Sequence, residues 1–85
     1  MKNGFDQKLF DLRKRIGTNV RIKREEKGFS QLRLAEEIGQ KSTTIISQGE
    51  LAKNKHFNIE QLYRLSIVLE CNICDFFYKP KSTKH

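Results

Sequence analysis

Phe5, Leu9, Leu12, Ile16 and Val20 follow one another at steps of four, three, four and four. That is the spacing of one helix face, and it predicts an α-helix over Asp6 to Lys27, with Gly28 as its C-terminal stop. Gly17, inside this stretch, costs about 1 kcal/mol relative to Ala and marks a place where the helix can break. Residues 1–15 then read as a helical extension or arm. Ser30 is placed to N-cap a second helix through its hydroxyl; Leu34, Ala35 and Ile38 are its buried face and Gly39 its end. A third short helix, over about 42–50, carries Ile45 and Ile46. Ala52 to Phe57 is a polar connection. Asn58, with Gln61 three residues on, has the form of a capping box. It opens a fourth helix whose apolar face is Ile59, Leu62, Tyr63, Leu65, Ser66 and Leu69. Asn72 is placed to cap a short fifth helix containing Ile73, Phe76 and Phe77. Residues 79–85 read as a flexible basic tail. The β-branched cluster Thr43–Ile46 is too short and wrongly flanked for a strand, and no segment repeats. The expectation is an all-α, compact bundle of about five helices.

Composition narrows this further. The 85 residues fit one domain. A formal charge of +7 points to an anionic partner, most commonly nucleic acid. Basic residues crowd Met1–Lys27, whereas His56–Tyr78 holds only Arg64 against Glu60, Glu70 and Asp75. One part of the chain is thus suited to meeting an anion and another to burying apolar surface. No stretch approaches the roughly 18 apolar residues of a membrane span. Met1–Ile16 lacks the apolar core of a secretory signal. Two cysteines cannot make a disulfide framework, so reduced thiols in a cytoplasm are expected.

The segment with most functional content is Ser30 to Glu50. Two short helices flank a glycine, small Ala35 sits where a second helix must approach, and branched apolar residues follow about ten positions later. This is the sequence form of a helix-turn-helix, whose second helix enters the major groove of DNA. The chain resembles the Cro/repressor-type, or Xre-like, helix-turn-helix family over about residues 16–78. The resemblance rests on Ile16, Gly17, Val20, Arg21 and Arg24; on Lys27, Gly28, Ser30, Gln31, Leu34, Ala35 and Gly39; and on Ile46, Ser47 and Glu50. The chain departs from the family pattern in having Lys23 and Gly49 at apolar positions, and one extra residue after Gly39. Placing that residue in the turn makes Ile46, rather than Ile45, the buried position of the third helix.

The resemblance implies a lambda-repressor-like fold, and within it each residue has a physical role. Gln31, at the start of the second helix, is expected to grip a phosphate. Lys41, Ser42, Thr43, Thr44, Ser47 and Gln48 are candidates for base contacts, since their donors, acceptors and methyls match base edges. Lys53, Asn54, Lys55 and His56 are expected along the DNA backbone. Arg24 and Glu50 resemble the family's intramolecular ion pair. Leu69, Ile73, Phe76, Phe77 and Tyr78 are an apolar excess proposed as a dimer seam, since such proteins usually bind as two-fold dimers.

Other chemistry finds little support. Cys71 and Cys74 form a C-x-x-C without the βαβ context of a redox motif. A zinc site would have to recruit His56 and His85, far off in sequence. Glu25–Glu26 and Glu36–Glu37 are adjacent and point to different sides of a helix, so they make no catalytic dyad. No enzyme activity, metal, cofactor or small-molecule ligand is expected. The expected function is sequence-specific binding of double-stranded DNA by a homodimeric repressor or controller, without membrane contact. The alternative is a protein-interaction module of the same fold, antitoxin- or coactivator-like. An RNA-binding role lacks the aromatic stacking surface that single strands require.

Overall fold

A computed structural model describes residues 4–80 of the chain. Four α-helices run in the order α1 (Gly4–Glu26), α2 (Gln31–Glu37), α3 (Thr44–Leu51) and α4 (Ile59–Val68). A single 3₁₀ turn, Ile73–Phe76, stands where a fifth helix was expected. No strand occurs among the described residues. Of the expected tail, only Lys79 and Pro80 lie within the described residues. His85 lies outside them.

α1 is continuous through Gly17, which therefore does not separate an arm from the domain. The glycine serves a close crossing instead. A Cβ there would run into the backbone carbonyl oxygens of Gly49 and Glu50 on α3. α1 ends as expected, with Gly28 in the left-handed region at φ 75°, where the lack of a Cβ removes the steric cost. With 23 residues at about 1.5 Å rise each, α1 spans nearly the longest dimension of the molecule, 39 Å.

The apolar stripe of α1 is buried only along its second half. Phe5 is 81% exposed and Leu9 43%, whereas Ile16 is 8% and Val20 fully buried. The first turns run past the core that the shorter helices build. That core joins Ile16 and Val20 to Leu34, Ala35 and Ile38 of the α2 region and to Ile46, Phe57, Leu62, Leu65, Leu69 and Phe76.

Local signals fix the helix starts. The Ser30 hydroxyl accepts from Arg33 N–H at 2.9 Å. Asn58 and Gln61 form the reciprocal box, at 2.7 and 2.9 Å. The buried face of α4, however, is Leu62, Leu65, Ser66 and the following Leu69, at helical steps of three and four. Ile59 and Tyr63, expected on that face, lie on the solvent side with Ile67.

The C-terminal segment is pinned to α1. The buried Asn19 amide donates to the carbonyls of Phe76 (2.8 Å) and Tyr78 (2.6 Å), and Arg15 donates to that of Phe77 (3.3 Å). This takes Leu69 and Phe76 out of the expected dimer seam, while Tyr78 stays 65% exposed. Phe76 is fully buried and Leu69 nearly so within a single chain, while Ile73 and Phe77 pack partly against the same core. A side chain already inside the monomer has no apolar area left to give to a second copy.

Candidate nucleic-acid interface

α2 and α3 are joined by a turn that Gly39 makes possible. Its φ is 86°, a conformation with little cost only for glycine. Arg64 of α4 fastens the turn by donating to the Ile38 carbonyl (2.9 Å) while pairing with Glu60 (2.8 Å). A Cβ on Gly39 would come within 2.9 Å of that same guanidinium. α2 is held through fully buried Leu34 and Ala35, and α3 through fully buried Ile46. Ile45 is only half-buried, so Ile46 is the enclosed position of α3.

The inner side of α3 is polar as well as apolar. Glu50 is buried and receives three donors: Arg24 Nε at 2.7 Å, Arg24 Nη2 at 3.1 Å and Gln31 Nε2 at 3.1 Å. Arg24 also donates to the Phe29 carbonyl at 2.9 Å. The Glu50 hydrogen bonds, and then its charge, hold the Arg24 guanidinium proton more tightly than usual; desolvation opposes them. This fork ties α1, the start of α2 and α3 together, because losing either charged partner would strand the other inside the protein. Gln31, expected on a phosphate, thus has one amide hydrogen committed to Glu50; the amide carries a second.

Gly49, where the resembled family carries an apolar residue, is filled from elsewhere. The Phe57 ring lies against it, so close that a Cβ would fall 2.6 Å from the ring edge. Gly17 and Gly49 together let α1 and α3 cross nearly backbone to backbone, with Phe57 sealing the side.

With Ile46, Gly49 and Glu50 turned inward, the outward side of α3 is fixed as Thr44, Ser47, Gln48 and Leu51, at steps of three, one and three. Thr44 and Gln48 are half-buried at its base; Leu51 is 61% exposed at its end. Ser42 lies at the helix mouth, its hydroxyl 3.3 Å from that of Thr44. Thr43 is the N-cap residue but makes no side-chain cap bond. The Ser47 hydroxyl donates back to the Thr44 carbonyl at 3.3 Å. Five of the six expected base-contact residues thus lie on or at the mouth of one short helix, and exposed Lys41 leads into it. Leu51 was missed, although its place seven residues after Thr44 is legible from the helical period.

The loop after α3 is tightly wound. Ala52 (φ 55°) and Asn54 (φ 67°) are left-handed, a conformation that costs a non-glycine residue about 1–2 kcal/mol and that Asn tolerates best. Lys55 N–H reaches back to the Lys53 carbonyl at 2.7 Å. Lys53, Asn54, Lys55 and His56 are all exposed. Among the described residues, Arg24, Lys27, Arg33 and Arg64 are each matched to a carboxylate, whereas Lys41, Lys53 and Lys55 are not. The cations flanking α3 are therefore free to meet an external anion.

The two cysteines are free thiols. Burial pushes the Cys71 thiol up, opposite to what a nucleophilic thiolate needs. No cluster of three or more metal-ligating side chains occurs among the described residues. No helix there is long and apolar enough to cross a membrane. No family model matches the chain, and no curated protein matches it either.

Proposed function

We propose that this chain is a sequence-specific regulator of transcription that binds double-stranded DNA, with α3 in the major groove and a lambda-repressor-like arrangement of helices. The observation that carries the reading is a short helix locked from behind by Arg24, Gln31 and Glu50. It turns Thr44, Ser47 and Gln48 outward between unmatched lysines, Lys41 on one side and Lys53 and Lys55 on the other. Eight residues make a helix about 12 Å long, comparable with the width of the major groove. Gln48 offers an amide to adenine, Lys41 an ammonium to guanine, and the threonines a hydroxyl and a methyl. The lysines and the spare Gln31 hydrogen supply backbone contacts and salt dependence. A cytoplasmic repressor or controller is the form we favour.

The reading calls for two copies, one per half-site. With Leu69 and Phe76 inside the monomer, the seam we propose is the exposed row Ile59, Tyr63 and Ile67 on α4, at 71%, 58% and 57% exposure. The same row favours the second reading, a module that holds a protein partner, antitoxin- or coactivator-like.

Selection of bound fragments from random duplexes tests the first reading directly. A Thr43→Ala, Thr44→Ala double variant is expected to keep its helicity, melting behaviour and non-specific DNA binding, and to lose preference for the selected site. Failure of the parent to enrich any sequence would turn the assignment to the partner-binding module.

A further inference from the structure

The first turns of α1 are exposed, yet part of them borders the α3–α4 loop. Leu9, Phe10 and Arg13 lie over the α3–α4 loop, where with Asn54, Lys55 and His56 they line a groove of about 380 Å³. Arg13 and His56 also border the neighbouring cavity, of about 210 Å³, beside Gly49 and Phe57. Arg13 is thus wedged between the loop and the end of α3 that the core holds. It is half-buried, yet it enters no ion pair or hydrogen bond among the described residues. Lys55 beside it is equally unmatched. The one carboxylate on the groove, Asp6, stands seven residues earlier on the same helix face, about 10 Å away along the axis. The groove is therefore polarised, with its positive end at Arg13, Lys55 and His56.

We propose that this positive end grips a DNA backbone phosphate outside the base pairs that α3 reads, which makes the amino-terminal part of α1 a flank of the interface. The inference rests on the DNA reading above and extends it. A guanidinium matches a phosphate with two parallel hydrogen bonds, and a partly desolvated one gains most from that match. The groove continues directly from the loop that leaves α3, so a phosphate there belongs to the same duplex. An acidic amphipathic peptide would instead use the Leu9 and Phe10 wall.

The test is anisotropy titration of the full-length chain at several salt concentrations, on a selected site and on the same site lengthened by half a turn of arbitrary sequence at each end. The parent is expected to gain affinity from the added flanks. Arg13→Gln is expected to abolish that gain and to reduce the log–log salt slope by about 0.9, the contribution of one phosphate. Lys14→Gln removes the same charge from another face of α1 and is expected to leave both quantities near the parent's. Where Arg13→Gln melts early, the exposed Lys55→Gln is read in its place by the flank gain alone, since Lys55 already counts toward the salt slope as a contact beside α3; an unchanged flank gain then overturns the proposal. An Arg13→Gln protein with the parent's slope and flank gain overturns the proposal and turns the groove to a protein partner, while the DNA reading stands. Equal losses from Lys14→Gln also overturn it, since net charge alone would then account for the effect. A parent that binds no duplex at all overturns the reading and the inference together.

Discussion

α3 and α4 are helices of eight and ten residues in one small domain, and their outward faces are opposites. The outward side of α3 is half-buried Thr44, Ser47 and Gln48 beside uncompensated lysines; that of α4 is exposed Ile59, Tyr63 and Ile67, with its one cation, Arg64, committed to Glu60 and the Ile38 carbonyl. Their inward sides differ as well. α4 rests on leucines, whereas α3 rests on Ile46, a glycine and a carboxylate held by three donors. A leucine-backed helix is stabilised by area and tolerates some rotation. A helix fixed by a bidentate ion pair and a glycine crossing has a defined rotation and depth, as the proposed reading of base edges within hydrogen-bond distance requires.

The largest expected effect tests that fixation. Glu50→Ala leaves Arg24 charged and buried without its partner, and should cost about 3–5 kcal/mol in urea unfolding. A loss below about 1 kcal/mol would mean that water screens the pair and that it does not set the pose of α3. Next, Ile46→Ala should cost about 2–5 kcal/mol, clearly more than Ile45→Ala, since Ile46 alone is fully enclosed. The reverse order would rotate the helix by one residue and exchange the proposed reading face.

The outward faces separate the two helices more finely. Gln48→Ala should leave the melting temperature nearly unchanged, yet remove about 1–3 kcal/mol of discrimination at one base position in a competition assay. Equal weakening on every sequence would reassign Gln48 to the backbone. The smallest effect on folding belongs to α4. Tyr63→Glu lies on the surface and should change stability by no more than about 0.5 kcal/mol, while sedimentation at micromolar concentration shifts from dimer to monomer. A parent that stays monomeric at high concentration would leave the α4 row to another partner.

Much of this was legible in the sequence because it depends on near neighbours. The Ser30 and Asn58 caps and the Gly28 stop follow from spacing and from the hydrogen-bonding reach of short side chains. The burial of Ile46 and the pairing of Arg24 with Glu50 came from a resemblance of pattern, and the 2.7 Å fork gives it a physical basis. What spacing misplaced were the faces of α1 and α4. Periodicity gives a helix an apolar stripe but not the length of the partner surface, so Phe5 and Leu9 overrun the core and Ile59 and Tyr63 face away from it. Leu69 and Phe76 have the composition of an interface and the position of a core, and only the Asn19 bonds to the Phe76 and Tyr78 carbonyls decided which. The sequence by itself thus determined the helices and their caps, because those interactions span three or four residues. The tertiary structure alone decided that Gly17 is a crossing rather than a break, that Phe57 completes Gly49, and that Arg13 meets Lys55. Each of those depends on groups 8 to 42 residues apart, whose approach is set by the packing of the whole core.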